Sequence, residues 1–537
     1  MAPREELLII LDLTSTVLRA GVGVTDLIRG PLLELPTRIG RKKGTKGNLV
    51  EDYLVGHYLS QAETSPTEPG REEFDVVYPL EMDNKVGFTV TDWVGLEAIF
   101  RYALHISLQL PRPPLAHPHV LSVPPSLPHS TLDKLHQLVF ERLLVPSLLL
   151  SSRPFFAAGA TGIQSGLVLD VGWRGEGCEV SLVHENQVLE GFGGTRLGWV
   201  DEGVLDDYCA VKVWEECGDM LKGAFGKAKE EGGGGIVGKE ECLDGVRRIV
   251  GELKNRDLIG FESKHFKPTV ASGTVIAGGP DVEGTFDVAK VVAEGKVNEL
   301  VGKSKPSKSS TKPSTGDFVT IPNPFSPPPP PPPIDLTIPV PEIPEHANVS
   351  IGPSRHSYLE PLFFPQVLST HLTSKNDAAR EIGLTYFENI KVPHSGIQEV
   401  LGQVLCSIQE KDVRELVGEN LVVISSGKVA SNKALGNTLI PLLSPYVQSP
   451  SPLDPAFAPP TELGGDAQLN KQPMRFAKTP DYFANFKGGH SGDWAVYLGG
   501  CIMGKLLVGD QQSKLFMTKA DYAQKGPAYY RQLDLIA

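Results

Sequence analysis

Leu7-Leu8-Ile9-Ile10-Leu11-Asp12 is a short apolar run that ends in a carboxylate, and after a polar turn a second apolar run passes through Val17 and Leu18. That pattern reads as a β-hairpin. Leu167-Val168-Leu169-Asp170 repeats it, with Gly172, Gly175 and Gly177 in the turn and Val180-Ser181-Leu182-Val183 returning. Two matching hairpins predict two related halves. Between them, Thr89–Leu104 (TVTDWVGLEAIFRYAL) and Ser130–Leu144 (STLDKLHQLVFERLL) have apolar residues at helical spacing, each behind a Thr or Ser start with an early acidic residue. Strands mixed with helices predict α/β architecture.

A chain of 537 residues with 40% hydrophobic content can bury two or more cores. Its formal net charge of −13 provides no general basic field for DNA or RNA phosphates, so any nucleic-acid contact would have to be local or made through a partner. The six cysteines have no zinc-like spacing, the start MAPREELLIILDL is not a signal peptide, and no stretch approaches the roughly 20 apolar residues of a membrane span. A soluble protein of a reduced compartment is expected, with no membrane contact. Two segments break the globular texture. Residues 267–344 are rich in Pro, Ser and Lys and include seven prolines at 327–333, which predicts a disordered insertion serving as a tether or as a ligand for a proline-binding module. Residues 446–477 form a second, shorter loose insertion. Gly302-Lys303-Ser304 lacks the upstream glycine of a phosphate loop, since Val297 stands there, and Gly232–Gly235 reads as a flexible turn. His117 and His119 read as loop residues without a third metal ligand. No metal site is expected.

Further along, Ile351-Gly352-Pro353-Ser354-Arg355 with Glu360, Leu362-Phe363 and Pro365 resembles the ungapped actin-family pattern I-G-x-x-R-x-x-x-x-E-x-L-F-x-P. Ser395-Gly396-Ile397 with Glu399, the strand Leu421–Ser425 and Tyr497-Leu498-Gly499-Gly500 with Gly526-Pro527 are similar to later segments of the family, in the same order. The resemblance implies an actin-like fold, of the actin, hexokinase and Hsp70 type, with two related domains and four subdomains. Subdomain 1 would take residues 1–32, 79–160 and 495–537, and subdomain 2 residues 33–78. Subdomain 3 would take 161–196 and 360–494, and subdomain 4 residues 197–359, which contain the long insertion. Leu33–Ile39 and Lys478-Thr479-Pro480-Asp481-Tyr482-Phe483 are similar to the actin-related proteins of fungal SWI/SNF and RSC chromatin remodellers.

In the family two hairpin turns cradle nucleotide phosphates, because small residues let backbone N–H groups approach the oxygens. Here the first turn reads Asp12-Leu13-Thr14-Ser15-Thr16, with Thr14 and Thr16 at the family's glycine positions. The second keeps Asp170 and Gly172 but has Trp173 where the family has its second carboxylate. Arg153 falls at the family's water-orienting glutamine, and arginine cannot take a proton from water. At the adenine end Gly427-Lys428 retains one of two expected glycines. Hydrolysis is expected to be lost and no cofactor to be required, with weak ATP binding left open. Asp12 and Asp170 read as residues that cap their own turns, and Arg153 and Arg174 alternatively as contacts for an anion.

The resemblance also implies a groove for a partner helix near Gly159 and along Met503, Leu506, Leu507 and Val508, with Leu515 beyond. The partners implied are a second actin-related protein and the helicase-SANT-associated helix of a remodeller motor, in the nucleus. Two alternatives share the fold: the pointed-end actin-related subunit of dynactin, and an ATP-binding protein with residual ATPase.

Overall fold

The computed structural model describes residues 8–22, 28–64, 73–83, 87–111, 115–125, 127–173, 175–189, 195–231, 239–261, 334–337, 348–388, 392–425, 427–448, 474–480, 482–486, 492–509 and 515–533. Arg174, Gly232–Gly235, Gly302–Ser304, the proline run and most of 267–344 and 446–477 lie outside them.

Both hairpins form. Ile9–Leu13 pairs antiparallel with Val17–Val22, and Gly166–Val171 with Cys178–His184. On its other side each first strand takes a parallel partner, His119–Val123 in the first case and Asn420–Ser425 in the second. The first sheet continues to Ser147–Ser152 and Met517–Thr518 at one edge and Leu33–Pro36 at the other. The second adds Arg475–Phe476 beyond Asn420–Ser425, and Gln187–Val188 and Thr195–Leu197 beside Cys178–His184. A parallel neighbour requires a long crossover, so each hairpin heads an α/β unit. The repeat seen in the sequence is therefore a repeat of topology.

Every residue of Ile9–Leu13 and of Gly166–Val171 is buried, which explains why both runs are continuously apolar instead of alternating. Leu11 and Leu13 face a core with Leu96, Phe100 and Phe140, while Leu8 and Ile10 face another that also holds Val168, Val422 and Ile424 of the second sheet. That shared core is filled by two helices, Arg153–Thr161 and Ala495–Gly509, lying between the sheets. A third core belongs to the second half, where Tyr208 and Trp214 of the helix Glu202–Glu231 meet Leu362 and Phe363.

The two expected helices occur as Trp93–Arg101 and His129–Gln137, with capping that differs from the sequence reading. Asp92, not a threonine, accepts the Gly95 N–H at 2.8 Å, and the second helix begins after Pro128 without a side-chain cap. The signature block Ile351–Pro365 anchors Glu202–Glu231. The N–H groups of Gly352 and Ser354 donate to Glu216 at 2.8 and 3.0 Å, and Tyr208 donates to Glu360 at 2.6 Å. Within the expected insertion, Ile334–Thr337 pairs antiparallel with Asn348–Ile351. At the margins of 446–477, the helix Lys433–Gln448 and the strand Arg475–Phe476 are formed. Among the described residues no helix is long and apolar enough to cross a membrane.

His119 is not a loop residue, because the proline-rich stretch ends one position earlier and His119 opens a strand paired with Ile9 and Leu148. It is buried, its Nδ1 lies 2.9 Å from the His117 carbonyl oxygen, and burial pushes the imidazole down to about 4. A base whose folded value is depressed holds fewer protons in the fold than in the unfolded chain, so its contribution to stability is present above about 6.5 and lost as pH falls towards 4. Between pH 7.5 and 5 the loss from this group comes to about 2 kcal/mol. The urea midpoint of the parent chain should therefore fall relative to that of His119→Leu as pH falls across that range. Parallel pH profiles would remove His119 as a cause.

Candidate functional site

The two hairpin turns face each other, and the first closes on itself. The Thr14 hydroxyl accepts the Val17 N–H at 2.9 Å and donates to the Val17 carbonyl at 3.0 Å. Such a side-chain turn needs no glycine. It leaves the Ser15 N–H directed outward, towards the second turn.

Arg153 begins the helix Arg153–Thr161 directly after the strand Ser147–Ser152, which drives its side chain between the hairpins. Its Nη1 donates to Asp12 Oδ1 and its Nε to Asp170 Oδ2, both at 2.7 Å. Asp12 also accepts from Ser122 Oγ at 2.5 Å and from Arg19 Nη1 at 3.4 Å. Arg153 is 2% exposed and Asp12 0%, so this is a buried charge network. Burial alone would lower the guanidinium pKa, but the Asp12 and Asp170 carboxylates raise it, and the cation is permanent. The expectation that both acids cap their own turns is thus corrected: their acceptor capacity goes to a cation brought in from a third element. Arg153 is not an anion contact waiting for a ligand, since two carboxylates already claim it.

Glu176, which the sequence reading passed over, completes the centre. One carboxylate oxygen accepts the Ser15 N–H at 2.9 Å and the Ser15 hydroxyl at 2.5 Å, and the other accepts the Trp173 N–H at 2.7 Å. The family's second carboxylate is therefore absent at Trp173, yet a carboxylate three residues later points at the amide donors. Burial raises the Glu176 pKa, while hydrogen bonds from Ser15 and Trp173 and the charge of Arg153 act to lower it. Gly172 is required for this arrangement, because a Cβ there would lie 2.3 Å from Glu176 Cβ.

The same happens on the far side of the second turn, where the Glu202 N–H donates to the Gly172 carbonyl at 2.9 Å. Glu202 accepts the Lys428 N–H at 2.8 Å, the Val429 N–H at 3.3 Å and the Lys254 ammonium at 3.1 Å. A Cβ on Gly427 would meet Glu202 Oε2 at 2.2 Å, so the retained glycine makes room for an internal acid. Lys254 also pairs with Asp206 at 2.7 Å and sits 5.1 Å from the Trp173 ring centroid. Lys428 Nζ turns away to Asn255 Oδ1 at 2.5 Å.

Between the hairpins remains a cavity of about 20 Å³ lined by Thr14, Arg153, Asp170, Gly172 and Glu176 among others. A water molecule needs about 10–15 Å³ measured the same way, so one fits. Arg153 Nη2 and Asp170 Oδ1 are buried there without a hydrogen-bond partner in the protein, which is the environment a bridging water satisfies. Among the described residues no cluster of three or more His, Cys, Asp or Glu is placed to hold a metal ion. The residues present do not fit a metal-bound nucleoside triphosphate.

Residues 4–192, which hold both hairpins and Arg153, match the family described as Actin. That stretch is an actin-family domain. Over 98% of its length and 98% of the relative's, it is 22% identical to the "SWI/SNF and RSC complexes subunit arp9" of Schizosaccharomyces pombe. It is 28% identical to "Actin-related protein 4" of Arabidopsis thaliana over 34% of this chain and 42% of the relative. It is 31% identical to an "Actin-like protein" of Neurospora crassa over 30% of this chain and 40% of the relative. Against those last two, the chain spans less than half of the relative's length. The expected actin-family resemblance and actin-like α/β fold are both borne out, and along its whole length the chain is similar to an actin-related protein.

The expected groove residues lie on or beside the two helices between the sheets. Met503 covers Gly159, where a Cβ would meet Met503 Cγ at 2.8 Å. Met503, Leu507, Val508 and Leu515 are partly buried against the shared core, whereas Leu506 is 62% exposed. Leu506 is thus the apolar side chain of that helix turned outward.

Proposed function

We propose that this protein is a non-catalytic actin-related subunit of a nuclear chromatin-remodelling complex of the SWI/SNF or RSC type. In this reading it pairs with a second actin-related protein, receives the helicase-SANT-associated helix of the motor, and meets chromatin only through the complex. The observation that carries the reading is the likeness along 98% of both chains to a protein named as a subunit of those two complexes. The cleft supports the non-catalytic part: Arg153 lies between Asp12 and Asp170, where a hydrolytic site would need room for metal and water. The net charge of −13 suits a basic motor helix, through steering and orientation. Leu506, with Met503 beside Gly159, offers apolar anchors at the helix spacing such a partner reads.

Tagged full-length protein drawn from nuclear extract should bring down a remodeller motor and another actin-related protein in equal amounts. The same preparation should show no ATP turnover above a buffer control and no shift in melting temperature with magnesium and ATP. Recovery of dynactin subunits would replace the proposed complex while leaving the fold untouched. Sustained turnover by the purified chain would defeat the non-catalytic reading.

A further inference from the structure

We propose that Glu176 is an internal ligand: its carboxylate fills the oxyanion position of the cleft, with Arg153 as fixed counter-cation, and clasps the two halves closed without nucleotide. The inference rests on the non-catalytic reading above and adds what replaces the lost ligand. Two backbone N–H groups and one hydroxyl converge on Glu176, the donor set by which hairpin turns and nests hold phosphate oxygens. The donors come from both turns, Ser15 from the first and Trp173 from the second, so the carboxylate joins the halves as a bound phosphate would. Arg153 crosses the same gap, from Asp12 to Asp170. Glu202, whose N–H donates to the Gly172 carbonyl at 2.9 Å, repeats the arrangement on the amides of Lys428 and Val429 with Lys254 as its cation.

A carboxylate tethered in the turn that donates to it has little translational freedom to lose, unlike a free oxyanion, so it holds the donors at any nucleotide concentration. The turn is shaped around it. Gly172 has no space for a Cβ on account of Glu176, and Glu176 is 6% exposed. An opening and closing equilibrium can be driven by a ligand only through a difference in affinity between states. With the donors already occupied, nucleotide has no such difference to exploit, and the closed form offered to a partner does not depend on it.

The test removes the carboxylate and supplies a free one. Full-length Glu176→Ala should melt several degrees below the parent chain, and acetate should recover part of that loss relative to chloride at equal ionic strength. The parent chain should not respond to acetate. In the variant, the Ser15 and Trp173 amides should exchange hydrogen faster and be slowed again by acetate. Melting of Glu176→Ala at the parent temperature, or equal acetate responses in both proteins, overturns the proposal. Should Glu176→Ala fail to fold, Glu176→Gln keeps the shape with a weaker acceptor. Faster Ser15 exchange there supports the internal ligand, and unchanged protection overturns it. None of these outcomes depends on which complex the parent chain joins, which copurification reads separately.

Discussion

Arg153→Gln is expected to lose about 3–5 kcal/mol of stability in urea denaturation, although it restores the side chain found at that place in the family. Glutamine carries no charge, and Asp12 and Asp170 would be left facing each other at 0% and 8% exposure. Two neighbouring buried carboxylates repel each other once the cation between them is gone. Adding Asp170→Asn to Arg153→Gln should recover much of the loss, because Asp12 keeps Arg19 and Ser122 as partners while Asp170 loses its cation. Magnesium or calcium should raise the midpoint of Arg153→Gln and leave the parent chain unchanged, as a divalent cation takes the place of the guanidinium. A loss below about 1 kcal/mol, in the range of ordinary surface changes, would show that Arg153 does not organise the cleft.

The hairpins were legible because they are local. A continuous apolar run, a polar turn and a returning run lie together within Leu7–Leu18 around Asp12 and within Leu167–Val183 around Asp170, and the register of both pairs follows. The wiring of the cleft was not legible in the same way. Glu176 and Ser15 are separated by 161 positions and Arg153 and Asp12 by 141, and no periodicity connects residues that far apart. What could be read was that Arg153 and Trp173 depart from the family's residues. That they depart together, with Glu176 in the turn and Glu202 after Asp201, is intelligible only once the cation and the carboxylates are seen to satisfy one another. A weak signal existed at Glu176, an acid between Gly175 and Gly177 in a turn otherwise built for close backbone approach. At Glu202 the signal was hidden by Asp201, which accepts the Val204 N–H at 2.9 Å and gives the pair the look of a helix start.

The contact between Arg153–Thr161 and Ala495–Gly509 fixes the distance between the sheets, and two glycines on it should respond unequally to alanine. At Gly499 a Cβ would lie 1.7 Å from the Phe156 carbonyl oxygen and 2.5 Å from its carbon, which are backbone atoms of the facing helix. Neither helix can yield there, because Gly504 already places Leu8 and Val120 side chains within 2.5 and 2.9 Å of its own missing Cβ. At Gly159 a Cβ would meet the Met503 side chain, which has rotatable bonds and a soft sulfur that can move aside. Both substitutions gain up to about 1 kcal/mol of helix propensity, so the difference between them isolates the steric part. Gly499→Ala is expected to cost about 3 kcal/mol, at the upper end for overpacking, while Gly159→Ala should stay within about 1 kcal/mol of the parent chain. Chemical denaturation of the two variants decides it, and equal losses would mean that the helices separate freely. Because Met503 belongs to the proposed groove, Gly159→Ala should weaken capture of a motor helix while the fold holds. That separates the surface role of this helix pair from its structural one.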